Sequence, residues 1–181
     1  MKNLQKKELR VKMKQMRSNC ENKDYLDNLI FENFFSQSVV KNAQSFFIYN
    51  SFGSEVDTKK IITQLLKEEK EVYLPIVKGE KMHLIKFIGQ AFKKGNFGIE
   101  EPIGEPIEVV PEICVLPLLA IDLNFNRLGY GGGFYDKFLQ NKNIFKIGLA
   151  YSFQIVDSVP NEEYDISLDA ICSDGQVLYR R

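Results

Sequence analysis

Apolar positions along this chain recur with two periods, and the change from one to the other marks the elements. Leu4, Leu9, Met13 and Met16 fall at roughly helical spacing within residues 3–17. Tyr25, Leu26, Leu29, Ile30, Phe34 and Phe35 repeat that spacing between Asp24 and Val40, so two helices open the chain. SFFIYN (45–50) and EVYLPIV (71–77) are short apolar runs of strand type, and between them Asp57 is placed to cap a helix carrying Ile61, Ile62, Leu65 and Leu66. That order is a βαβ unit, whose crossover is expected to be right-handed. MHLIKFI (82–88) predicts a further strand, and EICVLPLLAID (112–122) is nearly all apolar, as a strand buried on both faces would be. FYDKFLQ reads as a helix, IFKIGLAYS (144–152) as a second buried strand, and LDAICSD (168–174) and QVLYR (176–180) as shorter ones. The three glycines and two prolines of GNFGIEEPIGEP (95–106) predict a surface loop. With no linker or repeat, residues 1–181 read as a single α/β domain around a mainly parallel sheet.

Composition narrows the partners. The 181 residues are 44% apolar, enough for one core, and 24 basic against 24 acidic side chains give a formal net charge of zero. No global field steers such a protein toward nucleic acid or a membrane, so an anion site has to be local. Cys20, Cys114 and Cys172 are far apart, and with His83 as the single histidine they do not make a structural zinc site. They are expected to be reduced. His83, in a strand and without an orienting partner in sequence, reads as structural or exposed. The charged N-terminus lacks an apolar signal region, and no apolar run approaches the roughly 18–20 residues that span a bilayer, so a cytoplasmic protein is expected.

The candidate chemistry sits in NRLGYGGGFYDKFL (126–139), where Gly129, Gly131, Gly132 and Gly133 crowd between a buried strand and a helix. Ligands of open α/β sheets bind at such carboxyl ends. Glycine lets backbone N–H groups face an anion, a helix N-terminus adds partial positive charge, and Arg127 offers a guanidinium for phosphate. The loop matches neither a Walker sequence nor a dinucleotide fingerprint. The alternative is a tight turn in which glycine only permits close packing, although one positive-φ residue usually suffices for a turn. In the first helix Lys2, Lys6, Lys7, Arg10, Lys12, Lys14 and Arg17 face only Glu8. Lys6, Arg10 and Lys14 share one side, where an anion would relieve their repulsion, though taken alone an ordinary solvated face describes them better.

PLLAIDLNFNRLGYGGGFYDKFL resembles the signature of the 5-formyltetrahydrofolate cyclo-ligase family, in which a strand ending in Asp leads into an RLGxGxGYYD loop and a helix. KKELR, YNSFGSEVDTKKII, GNFGIEEP and EYDISLDAICSD resemble four further family segments, in order, between about residue 6 and residue 174. The resemblance implies a three-layer α/β/α, Rossmann-like fold with a mainly parallel sheet and helices on both faces. It also implies an enzyme that uses ATP and Mg²⁺ to convert 5-formyltetrahydrofolate, with or without a polyglutamate tail, to 5,10-methenyltetrahydrofolate, as a cytoplasmic monomer without nucleic-acid or membrane partners.

Residue by residue, the resemblance implies ATP contacts from Lys6 and Arg10 and from the loop Arg127, Leu128, Gly129, Tyr130, Gly131, Gly132, Gly133, Phe134 and Tyr135. Arg127 is the implied catalytic residue, compensating charge on the transferring phosphoryl group. Asn50, Glu55, Tyr130, Gly131, Gly132, Gly133 and Phe134 are the implied folate contacts, and Asp136 and Asp169 the implied magnesium acids. Lys2, Lys12, Lys14 and Arg17 keep the surface reading. Phe134 stands where the family usually has tyrosine, Ile121 replaces a common Phe, Phe125 occupies a turn position often held by glycine, and Lys137 replaces a common Arg. Two rivals are a nucleotide-holding module without catalysis, against which Asn50 and Glu55 count, and an RNA-associated protein using the basic helix, which the zero net charge disfavours.

Overall fold

Residues 2–95 and 98–181 are described by a computed structural model, in which the two periods of the sequence become layers. The chain opens with α1 (Lys2–Ser18), α2 (Lys23–Ser36) and α3 (Ser38–Asn42). It continues through β1 (Ser45–Ile48), α4 (Lys59–Lys67), β2 (Glu71–Lys78) and β3 (Lys81–Phe87). After a two-stranded ribbon of β4 (Phe92–Lys94) and β5 (Glu100–Pro102) come β6 (Ile113–Leu116), β7 (Ala120–Asp122) and β8 (Arg127–Leu128). The last part holds α5 (Phe134–Leu139), β9 (Phe145–Ala150), β10 (Ile155–Val156), β11 (Ala170–Ser173) and β12 (Val177–Tyr179).

The main sheet runs β12-β11-β9-β6-β1-β2-β3. The five central strands are mutually parallel, and β3 and β12 close the two edges antiparallel. Period-two alternation sorts the side chains. Phe46 and Ile48 join Ile30, Phe34, Ile61 and Leu65 of α2 and α4 on one face, while Phe47 joins Tyr135, Phe138 and Leu139 of α5 on the other. Both faces are therefore covered, which makes the fold the three-layer α/β arrangement expected. Leu65 is wholly buried, so Leu65→Ala would cost about 2–5 kcal/mol. From β1 the chain moves through α4 to β2 on one side, whereas β6, β9 and β11 build the other side. The carboxyl ends of β1 and β6 thus flank the switch point, where open sheets of this kind leave a crevice.

The structure departs from the sequence pattern in four places. The helix expected through Val40 breaks at Gln37, because the Asn33 carbonyl accepts bonds from the Ser36 hydroxyl (2.7 Å) and the Gln37 amide side chain (2.9 Å), which compete with the helical ladder. The run 112–122 is two strands, since Pro117 has no N–H for the ladder and the chain leaves the main sheet there. Its second half, β7, pairs with β8 and β10 in a separate small sheet. The segment 95–106 carries strand β5, which pairs with β4; residues 96 and 97 lie outside the described residues. In α1, finally, Leu4 and Met16 stay exposed while Met13 packs with Leu9 on Leu119, Ala120, Leu128 and Val159. Lys6 and Arg17 take the other buried positions of the helix, because the ground they cover is polar.

Candidate active site

A cleft of about 1160 Å³ opens over the carboxyl ends of β1 and β6. It is walled by α1, the loops after β1 and β8, and the start of α5, and Glu162 and Asp165 border it as well. The volume exceeds the roughly 300–1,000 Å³ of an ordinary ligand pocket.

The glycine loop is aimed by the β7–β8 hairpin. Asp122, almost wholly buried, accepts N–H bonds from Asn124 and Asn126 at 3.0 Å on one oxygen, and from the Asn126 side chain (3.1 Å) and Val159 N–H (2.9 Å) on the other. The turn is tight enough to hold Phe125 at φ 64°, a conformation that usually selects glycine. Beyond β8, Gly131 (φ 104°) and Gly133 (φ 65°) need their missing Cβ for the backbone path. Gly132 needs it for space, since a Cβ there would stand 2.8 Å from the Phe134 ring. Gly133 is the left-handed residue that starts α5, and four residues of the loop therefore line the cleft as bare backbone.

Arg127 is the most constrained cation of the cleft. Its side chain is 5% exposed, Nη2 donates to Asp136 Oδ1 at 2.8 Å, Nη1 donates to the Pro117 carbonyl at 3.3 Å, and the guanidinium lies 5.9 Å from the Tyr135 ring. Among the described residues its Nε is the buried side-chain nitrogen left without a partner. Asp136 Oδ1 also accepts the Ile166 N–H (3.1 Å), so both bonds of this carboxylate fall on one oxygen. Burial pushes the Tyr135 hydroxyl far above its usual range, which keeps it neutral beside the guanidinium.

From α1, Arg10 Nε donates to the Gly129 carbonyl at 2.9 Å, with its guanidinium over Gly131. Lys6 reaches Asp165 (2.7 Å) and Glu162 (3.3 Å). Burial alone would lower the Lys6 pKa, but the bonds and charges of the two acids outweigh it and the net shift is upward. Glu162 is lowered by hydrogen bonds from Tyr164 first and Lys6 second. Across the cleft, Asn50 donates to the Glu100 carbonyl (3.1 Å), and Glu55 accepts from Phe52 N–H (2.8 Å) and from the Tyr130 hydroxyl (2.6 Å).

Most sequence-predicted site residues thus converge. Lys6, Arg10, Asn50, Glu55, Arg127, Asp136 and the loop Gly129–Tyr135 all line one cleft. Two expected residues do not. Leu128 is buried beneath α1 with Met13, because its side chain alternates inward on β8. Asp169 precedes β11 at the amino end of the sheet, where its Oδ2 accepts from the Lys146 N–H (2.8 Å) and its ammonium (2.7 Å), so the structure does not bring it to Asp136. Five other acids share the cleft with Asp136: Glu55, Glu100, Glu101, Glu162 and Asp165. Sequence reading also left Lys14 and Arg17 on the surface, yet both line the cleft, and Arg17 is 6% exposed. The signal was available in the spacing, since Arg10, Lys14 and Arg17 are separated by four and three residues and so share a helix face. His83 pairs opposite Ile76 in the β2–β3 hairpin and does not line the cleft.

Comparison with known proteins bears on the family and the fold. The model of a family described as the 5-formyltetrahydrofolate cyclo-ligase family matches residues 2–174. The 5-formyltetrahydrofolate cyclo-ligase of Haemophilus influenzae is 38% identical over 139 residues, covering 71% of this chain and 74% of that protein. That of Escherichia coli K12 is 35% identical over 141 residues, covering 72% and 78%. Among solved structures, the 5,10-methenyltetrahydrofolate synthetase of Aquifex aeolicus superposes with a TM-score of 0.86 at 32% identity, covering 96% of this chain and 92% of that one.

Proposed function

The chain belongs to the 5-formyltetrahydrofolate cyclo-ligase family, and we propose that it converts 5-formyltetrahydrofolate to 5,10-methenyltetrahydrofolate with ATP and magnesium, releasing ADP and phosphate. The observation that carries this reading is the single cleft that holds phosphate-type groups, Arg10, Arg127 and the bare backbone of Gly129–Gly133, together with Asn50, Glu55, Tyr130 and Phe134. The first set suits a triphosphate and the second a pterin and its ring system.

The chemistry explains the need for both. A formyl oxygen is a poor leaving group. In the proposed reaction it attacks the γ-phosphorus, the bond from that phosphorus to ADP breaks, and N10 then attacks the formyl carbon, loses its proton and expels phosphate as the five-membered ring closes. Phosphoryl transfer of this kind asks the protein chiefly for positioning and charge stabilisation. Arg127, held by Asp136 and Pro117 and stacked on Tyr135, is already immobilised for that task. Lys6 and Arg10 extend the cationic side. In this half of the cleft Lys6, Arg10, Arg127 and Lys137 face Asp136, Glu162 and Asp165, an excess smaller than the charge of a triphosphate, so an added cation is needed.

The donor set fits magnesium, a hard ion that takes one or two carboxylates and completes its shell with phosphate oxygens and water. Asp136 would hold it; Asp165, which borders the same cleft, is paired with Lys6 at 2.7 Å. When bound, the ion draws negative charge from the phosphate oxygens. The residues themselves keep Arg127 oriented through the Asp136 Oδ1 bond and leave the second carboxylate oxygen for the metal.

Mixing the protein with MgATP and 5-formyltetrahydrofolate and following the absorbance of the methenyl product tests the proposal directly. ATP-dependent product is expected. Folded protein that binds MgATP yet forms none would be a nucleotide-holding module instead.

A further inference from the structure

Arg17 lies outside every role assigned so far, and it is one of the few charged side chains the fold buries. Three bonds fix it. Nη1 donates to the Leu118 carbonyl at 3.2 Å, Nε donates to the Ser54 hydroxyl at 3.3 Å, and the guanidinium lies 5.6 Å from the centre of the Tyr130 ring. Lys14, one turn earlier, sets its ammonium 5.7 Å from the same ring. The Tyr130 hydroxyl in turn donates at 2.6 Å to Glu55, whose other oxygen accepts the Phe52 N–H.

These contacts form one chain of interactions through three segments that are distant in sequence. It runs from α1 to the glycine loop by Arg17 and Tyr130, and from the glycine loop to the loop after β1 by Tyr130 and Glu55; Arg17 also reaches that last loop directly through Ser54. Tyr130 sits on a loop whose flanking glycines give it little conformational preference of its own. The ring is 43% exposed, so burial alone does not hold it in place. A cation over an aromatic face contributes about 0.5–2 kcal/mol, enough to select one orientation of an otherwise free side chain.

We propose that Arg17 is a positioning residue of the cleft, fixing Tyr130 in its bond to Glu55 and thereby setting the fit of the folate half. The inference rests on the proposed function for the identity of the substrate. It separates Arg17 from Lys6 and Arg10 on the same helix, whose cations serve the phosphate half. Replacement of Arg17 does not orphan the Leu118 carbonyl, which also accepts from Gln154 Nε2 at 3.2 Å. Arg17→Gln is therefore a usable probe.

Initial rates measured against each substrate in turn test the assignment. Arg17→Gln is expected to raise KM for 5-formyltetrahydrofolate about tenfold, roughly the loss of one cation–ring contact. KM for ATP and kcat should move less than twofold, roughly the noise of a remote change. Arg17→Lys, which keeps a cation over the ring, should recover most of the folate KM. Tyr130→Phe keeps the ring and its cation but loses the Glu55 bond, and should raise the folate KM in the same direction by a smaller factor. An unchanged folate KM in Arg17→Gln overturns the inference alone, as does an equal rise in both KM values with a lowered melting temperature, which marks a purely structural arginine. If Arg17→Gln does not fold, the Tyr130→Phe result decides. Wild-type protein without turnover removes the proposed function and this inference with it.

Discussion

The two ends of the central sheet carry similar side chains and put them to different ends. At the amino end, Glu112 Oε1 accepts from the Gln44 N–H and the Ser45 hydroxyl, and Asp169 Oδ2 accepts from both nitrogens of Lys146. Each acid there is satisfied by residues on its own or the neighbouring strand. At the carboxyl end the bonds cross long stretches of chain, Lys6 to Asp165, Arg10 to Gly129 and Tyr130 to Glu55, and some capacity is left over. Arg127 Nε is buried without a partner. Buried polar groups are nearly always paired, so an unfinished set marks where a ligand completes the structure. An acid by itself therefore does not announce a ligand site; cations and acids drawn together from distant segments around a buried, unpaired nitrogen point to one.

The sharpest way to break this contrast is at Arg127. Arg127→Ala should lower kcat for methenyl formation about 10²–10³-fold, as the loss of a single preorganised charge-stabilising group does. Near-normal turnover would deprive the carboxyl end of its central role. Asp136→Asn comes next. It should raise the magnesium concentration needed for half-maximal rate by at least about tenfold, in line with the sensitivity of metal sites to their carboxylates, and a titration of Mg²⁺ at fixed ATP measures it. The smallest effect is expected at the other end. Asp169→Asn loosens a partly exposed ion pair, should cost under about 1 kcal/mol in thermal or denaturant unfolding, and should leave the magnesium titration where it was. A shifted titration in Asp169→Asn would show that the two ends are not separate.

Cysteine chemistry follows the same division of polar from apolar ground. Cys114 lies in the middle of β6 and Cys172 in β11, both buried and both free, and burial pushes their thiols up, that of Cys172 to about 12. Neither carries a thiolate near neutral pH, and they serve the core as small apolar residues.

The periodicity of the chain was sufficient for the layers. Short apolar runs alternating with helical spacing specify strands buried on both faces, because each residue's burial there depends on its own side chain and its nearest neighbours. The glycine loop was legible for a similar reason: Gly131 and Gly133 answer a local backbone requirement that sequence expresses directly. What sequence could not decide was which charged residues face one another. Arg17 and Lys14 look like any exposed lysine-rich turn until α1 docks through Met13 onto the small sheet and turns that face into the cleft. Asp165 and Asp169 are four residues apart in one motif-like segment, yet the first pairs with Lys6 at the border of the cleft and the second with Lys146 at the amino end of the sheet. Charge pairing depends on the full three-dimensional path of the chain, and a shift of a few ångströms exchanges a ligand site for an internal ion pair. The sequence by itself therefore determined the scaffold and the phosphate-type loop, while the tertiary structure alone decided which acids and cations complete the site around it.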